Sequence, residues 1–232
     1  FRMKVVILAG GFGTRISEYT KKIPKPMIKI GNIPMIEHIM KIYIKHGFSE
    51  FIFAIGYKGN LIKNYFKKKK YNITFVNSGL KAMTGGRLKK VGKYIKNNEN
   101  FLLTYGDGLS DVNIKKLVKF HLKHNREVTV TAVKPPARFG ALKMKDNKVV
   151  EFREKFRDDI GWINGGFFVI KKKFLKKISS SKTYLEKKPL VSASKCGELM
   201  AFKHRGFWQC LDTKRDFDLL SKIFKGKNKT PW

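Results

Sequence analysis

Short runs of apolar residues alternate along the chain with longer stretches in which apolar side chains recur every three or four positions. Runs of the first kind, rich in β-branched residues, predict buried strands, and spacing of the second kind predicts amphipathic helices. The strands predicted in this way are 5–8, 51–55, 73–76 and 101–105. The predicted helices follow Pro34, surround 61–66, occupy 85–95 and cover 114–122, the last capped by Asp111.

The alternation over residues 3–134 predicts a Rossmann-like, doubly wound α/β fold with a mostly parallel sheet. After residue 135 the pattern changes to shorter strands at 141–144, 148–152 and 166–170, followed by two helices, the last near 215–224. We interpret this part as a small mixed C-terminal extension within a single domain over 3–232, because no linker sets it apart. Ligands of such sheets bind at the carboxyl ends of the strands, so the functional residues are expected there.

The composition is that of a globular protein with a sizeable core. Hydrophobic residues make up 42% of the 232 residues and aromatic residues 13%, which excludes wholesale disorder. Cys196 and Cys210 are too few for a disulfide framework or a cysteine-based zinc site. No apolar run approaches the ~20 residues that cross a bilayer, and the apolar start ends too early, at Gly10, for a signal peptide. A cytoplasmic protein without a membrane partner is therefore expected.

The charge is the unusual feature, since 51 lysines and arginines oppose 17 acidic residues and give a formal net charge of +34. Such an excess suggests a polyanionic partner, either nucleic acid or an anionic membrane surface. Only nine of the 51 basic residues are arginine, and the densest basic run, at 67–70, contains none. Nucleic-acid surfaces favour arginine, which contacts phosphates and base edges bidentately. We therefore interpret the lysines mainly as a solvated background, with a basic nucleic-acid-binding protein as the alternative function.

The glycine-rich segment 8–15, Leu-Ala-Gly-Gly-Phe-Gly-Thr-Arg, directly follows the first predicted strand. Glycines let the backbone approach a phosphate closely, so that several N–H groups converge on it. The segment is not a dinucleotide fingerprint, because Ile16 stands where the third glycine belongs, and no Gly-Lys-Ser/Thr closes it as a Walker loop. Arg15 beside the glycines favours phosphate binding over a purely structural turn.

Together with Pro-Lys-Pro-Met at 24–27, this segment resembles the sugar-nucleotide pyrophosphorylase (nucleotidyltransferase) family, closest to its glucose-1-phosphate cytidylyltransferase branch. Further motifs of that branch recur in order: Met-Thr-Gly-Gly-Arg at 83–87, Tyr-Gly-Asp-Gly at 105–108, Arg-Phe-Gly at 138–140, Glu-Lys at 154–155, Asn-Gly-Gly at 164–166 and Trp-Gln-x-Leu-Asp-Thr at 208–213. The resemblance implies the nucleotidyltransferase type of sheet and a Mg²⁺-dependent transferase. Such an enzyme joins CTP to a sugar phosphate, such as glucose 1-phosphate, and releases pyrophosphate. The resemblance also divides the chain into a nucleotide-binding core, 3–134, and an acceptor-binding portion, 135–232.

Arg15 and Lys25 are the expected catalytic residues, because nucleotidyl transfer needs cations that neutralise a polyanionic triphosphate. Prolines on both sides are expected to hold Lys25 in extended backbone. The N–H groups at the start of the helix that Thr84 opens would suit an anion or a base edge, and the family uses this loop near the nucleobase. The expected nucleotide contacts are Leu8, Ala9, Gly10, Gly11, Gly13, Thr14, Thr84, Gly85, Arg87, Tyr105 and Gly106.

Asp107 lies between two glycines directly after the strand 101–105, where a carboxylate is well placed to hold Mg²⁺. The resemblance makes Asp212 the second metal ligand, although the pair Asp212-Thr213 also fits an N-cap for the last helix. The acceptor contacts that the resemblance implies are Arg138, Gly140, Glu154, Lys155, Asn164 and Gly165.

Two departures from the branch concern the acceptor. This chain passes from Phe66 to Ile73 through lysines where members of the branch carry a longer segment, and Phe156 replaces the proline of the Glu-Lys-Pro motif. The acceptor therefore stays open between a sugar phosphate and another phosphomonoester. His121 and His124, one turn apart on a helix face interpreted as polar, lack a third ligand and are not expected to bind metal. The resemblance allows a homo-oligomer, although like charge on every subunit opposes close packing.

Overall fold

Strands and helices alternate along the described residues, which are 3–97, 99–135, 141–153, 161–226 and 230–232 of a computed structural model. The strands are β1 Val5–Ala9, β2 Lys29–Ile30, β3 Ile33–Pro34, β4 Glu50–Ile55, β5 Asn72–Asn77, β6 Asn100–Tyr105, β7 Gly108–Ser110, β8 Val128–Val133, β9 Ala141–Lys145, β10 Lys148–Arg153, β11 Ile163–Lys171, β12 Leu199–His204 and β13 Trp208–Cys210. The helices are α1 Ser17–Thr20, α2 Met35–Lys45, α3 Gly59–Phe66, α4 Thr84–Val91, α5 Ile114–His124, α6 Lys188–Lys195 and α7 Lys214–Lys225.

Within the described residues, seven strands form the main sheet in the order β12-β8-β11-β6-β1-β4-β5. Strand β1 lies in the interior of this sheet and pairs in parallel with β4 and β6, so that Ile7 is opposite Phe53 on one side and Thr104 on the other. Strand β11 runs antiparallel between β6 and β8, and β12 is parallel to β8 at the edge. The predicted doubly wound, mostly parallel α/β sheet is confirmed, and two strands that follow residue 135 are part of it.

Helices cover both faces of this sheet, because successive strand residues point to opposite sides. Val5 and Ile7 of β1 face a core shared with α2, α3, α5 and α7. Val6 and Leu8 face a second core shared with α4 and α6. None of the helices in the described part of the chain combines the length and apolar character that crossing a membrane requires.

One lysine of the 67–70 run has a structural partner. Lys69 Nζ lies 2.7 Å from Oε2 of Glu37, a carboxylate on α2 that is only 3% exposed. The hydroxyls of Tyr65 and Tyr71 also donate to this carboxylate. Burial by itself would raise the pKa of Glu37, but these donors more than offset it and hold the pKa below its usual value. The run therefore closes the short connection between α3 and β5 against α2.

The N-terminus of α5 is capped by Asn113, whose Oδ1 accepts from the backbone N–H of Lys116 at 2.9 Å. The prediction that Asp111 caps this helix is wrong, because a cap directly precedes the first helical residue and α5 begins at Ile114. Asp111 lies outside the helix, with Oδ1 at 2.8 Å from Nε2 of His204.

His121 of α5 is fully buried, so the interpretation of its helix face as polar is wrong. Its Nδ1 lies 2.8 Å from Oγ1 of Thr129 on β8, and Nε2 of His124 lies 2.7 Å from the same oxygen. The two rings therefore join α5 to the sheet through one hydroxyl. Burial, with the nearby charges of His124 and Lys171, lowers the pKa of His121 to about 4.

Candidate active site

A cleft of about 520 Å³ opens at the carboxyl ends of β1 and β6, where the sheet was expected to bind a ligand. The residues with a predicted ligand role that line it are Leu8, Gly11, Gly13, Thr14, Arg15, Lys25, Thr84, Arg87, Tyr105, Gly106, Asp107, Asn164 and Asp212. Four further residues line it without such a prediction: Pro26, Glu186, Trp208 and Cys210. The motifs therefore converge on one cleft from distant parts of the chain.

Lys25 lies between two carboxylates at this cleft. Its Nζ donates to Oδ2 of Asp107 at 2.7 Å and to Oδ1 of Asp212. The prediction that Lys25 has extended backbone is wrong, because only Pro24 is extended and Lys25 begins a 3-10 turn. The turn keeps the side chain inside the cleft, where the residue is only 9% exposed.

The two aspartates are brought together by a two-stranded antiparallel sheet that joins distant segments of the chain. Strand β7 follows Asp107 and strand β13 precedes Asp212, and the two strands pair antiparallel with Gly108 opposite Cys210. The backbone N–H of Leu211 donates to the carbonyl of Asp107 at 2.8 Å. This pairing places both carboxylates beside the ammonium of Lys25.

The charge of Lys25 is stabilised by these neighbours. Burial by itself would lower the pKa of Lys25, because a charged group loses its hydration in the protein. The two carboxylates more than offset that effect, and the pKa of Lys25 lies above its ordinary value. Lys25 is therefore an ammonium at neutral pH.

Arg15 completes the charged cluster from the mouth of the cleft. Its Nη1 lies 2.7 Å from Oδ2 of Asp212, and its side chain is 72% exposed. An exposed ion pair of this kind contributes little to stability. Arg15 is therefore free to exchange this partner for an anionic ligand at little cost to the fold.

The carboxylate of Asp212 is available to the cleft because the next helix is capped by its neighbours. Thr213 is the N-cap of α7 and forms a capping box with Asp216. The Oδ2 of Asp216 accepts from the backbone N–H of Asp212 at 3.1 Å. The alternative role of the Asp212-Thr213 pair as a cap thus belongs to Thr213 alone.

Arg87 forms the floor of the cleft and is bonded within the protein. It is 4% exposed, and its Nη1 donates to Oγ of Ser78 at 2.6 Å and to the carbonyl of Gly79 at 3.0 Å. A Cβ on Gly10 would lie 2.1 Å from the same Nη1. Gly10 is therefore required where the glycine-rich loop passes over the guanidinium, and it does not itself line the cleft.

The N-terminus of α4 is packed against the segment 179–187, which we call the cover segment. The backbone N–H of Met83 donates to the carbonyl of Ser181 at 2.9 Å, and that of Gly86 donates to the carbonyl of Thr183 at 3.1 Å. A Cβ on Gly85 would lie 2.7 Å from the Thr183 oxygen. At least one of the N–H groups expected to serve an anion is thus used by the cover segment.

A chain of hydrogen bonds joins four residues that line the cleft, Thr84, Glu186, Tyr105 and Asn164. The Thr84 and Tyr105 hydroxyls each donate to the carboxylate of Glu186 at 2.6 Å. Nδ2 of Asn164 donates to the Tyr105 oxygen at 3.3 Å. Burial and the Glu186 charge together raise the pKa of Tyr105 above its usual value.

Glu186 is the residue of the cleft lining that belongs to none of the motifs. Its only distinction in the sequence is that no other acidic residue stands between Asp159 and Glu198. The carbonyl of Gly165, a residue predicted to contact the acceptor, accepts a hydrogen bond from Nε1 of Trp208 at 2.8 Å, and Gly165 packs against Val133. Four predicted acceptor contacts lie outside the described residues: Arg138, Gly140, Glu154 and Lys155.

The carboxylates of Asp107 and Asp212 fit a divalent cation such as Mg²⁺. Within the described residues, no group of three or more His, Cys, Asp or Glu side chains is arranged to hold a metal. Mg²⁺ needs fewer protein ligands, since one or two carboxylates hold it together with waters and substrate phosphates. Burial and the neighbouring carboxylates raise the pKa of Cys210 to about 12, so this thiol stays neutral beside them.

The chain belongs to the Nucleotidyl transferase family, whose model matches residues 4–211. It is 44% identical to the glucose-1-phosphate cytidylyltransferase of Salmonella typhimurium, over 99% of this chain and 98% of that protein. It is 32% identical to the mannose-1-phosphate guanyltransferase of Aspergillus oryzae, over 93% of this chain and 62% of that protein. The crystal structure of HddC from Yersinia pseudotuberculosis superimposes with a TM-score of 0.76 at 26% identity and covers 96% of this chain and 100% of that one.

These similarities confirm the predicted family and the predicted type of fold. They also confirm that the chain is a nucleotidyltransferase, in which the cleft and its charged cluster form the candidate active site. The relatives that match nearly the whole chain differ in the nucleotide and the sugar phosphate that their names state.

Proposed function

We propose that the enzyme transfers the cytidylyl group of CTP to glucose 1-phosphate in a Mg²⁺-dependent reaction that releases pyrophosphate. The observation that carries this proposal is the ammonium of Lys25, held between Asp107 and Asp212 at the cleft. The choice of CTP and glucose 1-phosphate is supported by the 44% identity to the cytidylyltransferase of Salmonella typhimurium. A different phosphomonoester as acceptor is the alternative.

In this reaction an oxygen of the acceptor phosphate attacks the α-phosphorus of CTP in line. A new P–O bond forms, and the bond from the α-phosphorus to the bridging oxygen of the β-phosphate breaks, so that its electron pair leaves with pyrophosphate. No general base is needed, because the acceptor phosphate is already ionised at neutral pH. The protein therefore acts by positioning the substrates and neutralising their charge.

Arg15 and Lys25 are the proposed catalytic residues, and each has its own place. Lys25 is buried and charged, so its ammonium is fixed close to the reacting phosphates. Arg15 is exposed at the mouth, where its guanidinium would meet the β- and γ-phosphates and the departing pyrophosphate. The glycine-rich loop with Gly11 and Gly13 lines the cleft beside both residues.

Asp107 and Asp212 are the residues that would hold Mg²⁺. When bound, the ion supplies positive charge that stabilises the phosphate oxygens as negative charge moves toward the leaving group. We assign Asn164 to the hydroxyls of the acceptor, together with the predicted contacts in the acceptor-binding portion 135–232. The core 3–134 would then carry the nucleotide.

A pyrophosphate-release assay tests this proposal. CTP, UTP, dTTP and GTP are each combined with glucose 1-phosphate, mannose 1-phosphate, phosphocholine and glycerol 3-phosphate in the presence of Mg²⁺. Release is expected with CTP and glucose 1-phosphate. Release only with another nucleotide would overturn the choice of CTP, and release only with the last two acceptors would overturn the sugar.

The matched variants for this assay are Lys25→Met and Lys22→Met. Lys22 is exposed and lies outside the cleft, so its replacement is expected to leave turnover unchanged. Lys25→Met is expected to reduce kcat by roughly 10²-fold or more, the usual cost of one key electrostatic group. Equal turnover by the two variants would contradict the role of Lys25.

A further inference from the structure

We infer that Glu186 is a positioning residue that sets the direction of hydrogen bonds on both sides of the cleft. It acts through Thr84 toward the nucleotide and, by way of Tyr105 and Asn164, toward the acceptor. Tyr105, predicted to contact the nucleotide, is assigned to the acceptor side here because Asn164 donates to its oxygen. The inference rests on the proposed function, because it assigns these two sides to the two substrates. Its argument uses the place of Glu186 in the fold and the chemistry of its hydrogen bonds.

The backbone that carries Glu186 is held firmly. The preceding residue, Leu185, is fully buried in the core beneath α4, and its N–H donates to Oγ1 of Thr84 at 2.9 Å. A Cβ on Gly86 would lie 2.0 Å from the carbonyl oxygen of Ser181, so the cover segment and α4 pack at backbone contact. Glu186 itself is exposed and lines the cleft, so its carboxylate extends from a backbone that packing and hydrogen bonds hold in place.

An ionised carboxylate accepts hydrogen bonds and cannot donate them. The Thr84 and Tyr105 hydroxyls must therefore both turn their hydrogens toward Glu186, one to each carboxylate oxygen. Their distances of 2.6 Å are typical of charge-assisted O–H···O⁻ bonds, which are stronger than neutral ones. Glu186 thus leaves both hydroxyl oxygens as acceptors for every other neighbour.

This direction and the backbone N–H of Gly166 together set how Asn164 faces the acceptor side. Because the Tyr105 oxygen can only accept, Asn164 presents Nδ2 to it at 3.3 Å. Its Oδ1 accepts from the backbone N–H of Gly166 at 2.9 Å, which agrees with the same orientation. The amide is therefore held in one of its two orientations, with its second N–H available to an oxygen of the acceptor.

The same carboxylate directs Thr84 on the nucleotide side. Thr84 begins α4 and lines the cleft, and its hydroxyl oxygen is bonded between the N–H of Leu185 and the carboxylate of Glu186. Replacing Glu186 by glutamine would place an NH₂ group against one of the two hydroxyls. That hydroxyl would have to reverse its direction, so a nearly isosteric change would disturb the cleft.

A role confined to stability is a poor account of this arrangement. Hydrogen bonds and charges at an exposed side chain contribute little to the free energy of unfolding, because water competes for both partners. Glu186 is also placed in a cleft whose proposed ligands are anionic, where a third carboxylate would weaken binding unless it served another purpose. We therefore expect its removal to change substrate affinity more than thermal stability.

The test compares Glu186→Gln, Tyr105→Phe and Thr84→Val with a control, Lys187→Gln, which changes the next exposed residue of the cover segment. The KM values for CTP and glucose 1-phosphate are measured by pyrophosphate release, CTP affinity by calorimetric titration, and Tm by thermal denaturation. Tyr105→Phe is expected to raise the KM for glucose 1-phosphate, and Thr84→Val the KM for CTP. Glu186→Gln is expected to raise both, each by roughly tenfold, the scale of a lost hydrogen bond to a charged group.

Two further readouts separate positioning from structure. The Glu186→Gln/Tyr105→Phe double variant should bind glucose 1-phosphate no worse than Glu186→Gln alone, because both changes break one chain of bonds. Glu186→Asp, which keeps the charge but shortens the reach, should fall between wild type and Glu186→Gln. Wild-type KM values in Glu186→Gln, or a lower Tm with both KM values unchanged, would overturn the inference.

The calorimetric titration keeps this result distinct from the proposed function. A wild-type enzyme that binds CTP but releases no pyrophosphate would contradict the proposed reaction only. In that case, weaker CTP binding by Glu186→Gln and by Thr84→Val would still support the role of Glu186, and unchanged binding would overturn it. A wild-type enzyme that does not bind CTP would overturn both.

Discussion

Asp107 shares one ammonium with Asp212, and each of the three charges depends on the other two. Replacing Asp107 by asparagine removes one partner of Lys25 and one of the two proposed Mg²⁺ ligands. We expect kcat of Asp107→Asn to fall by roughly 10²-fold or more, as for the loss of one key electrostatic group. Steady-state pyrophosphate release at saturating Mg²⁺ measures this change. Asp111→Asn is the matched control, because Asp111 pairs with His204 outside the cleft lining and should keep wild-type turnover.

Gly10 and Gly11 are adjacent in sequence but differ in how much free space surrounds the position of a Cβ atom. A Cβ on Gly10 would lie 2.1 Å from Nη1 of Arg87 and 2.9 Å from the backbone nitrogen of Gly56, whereas one on Gly11 would meet nothing within 4 Å. We therefore expect Gly10→Ala to lower the free energy of unfolding by about 1–3 kcal/mol, the usual cost of overpacking. Denaturant titration of both variants checks this. Equal stability of Gly10→Ala and Gly11→Ala would contradict it.

At the scale of single residues, the sequence predicts the site where a residue belongs to one of the motifs that carry the family resemblance. Lys25, Asp107 and Asp212 are of this kind, and the structure brings them together. Glu186 could not be predicted, because its two partners, Thr84 and Tyr105, belong to other segments and no motif surrounds it. The hydrogen bonds of Arg87 to Ser78 and Gly79 also could not be predicted, because an arginine near a glycine-rich loop is equally typical of a ligand-binding residue.

Helix α5 and strand β8 are joined through a histidine that folding keeps neutral. Folding lowers the pKa of His121 from 6.5 to about 4. The unfolded chain therefore binds a proton at this residue near pH 6.5, whereas the folded chain binds it only near pH 4. Stability is therefore fully present above pH 6.5 and is lost as the pH falls toward 4. The loss is on the order of 3 kcal/mol for a shift of this size.

Denaturant titrations of wild type and His121→Gln between pH 7.5 and 4.5 measure this contribution. Glutamine does not titrate, so the variant should lose less stability across this range. Equal pH dependence of the two proteins would contradict the assignment.

At the scale of elements, the periodic spacing of apolar residues predicts those strands and helices that are long enough to contain a repeat of it. The strand predicted at 166–170 in fact extends over Ile163–Lys171. The prediction missed its first residues because glycines interrupt the apolar pattern there. Strands β7 and β13 have three residues each, too few to show a period, and their pairing joins segments about a hundred residues apart. The pairing of β7 with β13, which positions both aspartates, therefore could not be predicted from any local sequence pattern.

For the whole molecule, the charge of +34 has one distinct consequence for nucleic acids. Scattered lysines neutralise phosphates without reading bases, so we expect weak binding to any duplex, with an affinity that falls steeply as salt rises. Fluorescence anisotropy with two unrelated duplexes at 50 and 200 mM NaCl measures it. Tight binding at the higher salt that distinguishes the two duplexes would instead favour the nucleic-acid-binding alternative.

Strand β11 occupies the place in the sheet between β6 and β8, although both of those strands precede it by at least thirty residues. While the ribosome is still making the second half of the chain, β6 has a partner only in β1 and its other edge is bare. An open edge of this kind invites pairing with other nascent chains until the missing strand arrives. The gap between β6 and β8 is filled only after residue 171 has emerged, so during synthesis the enzyme passes through a stage in which an exposed strand edge could be a target for chaperones.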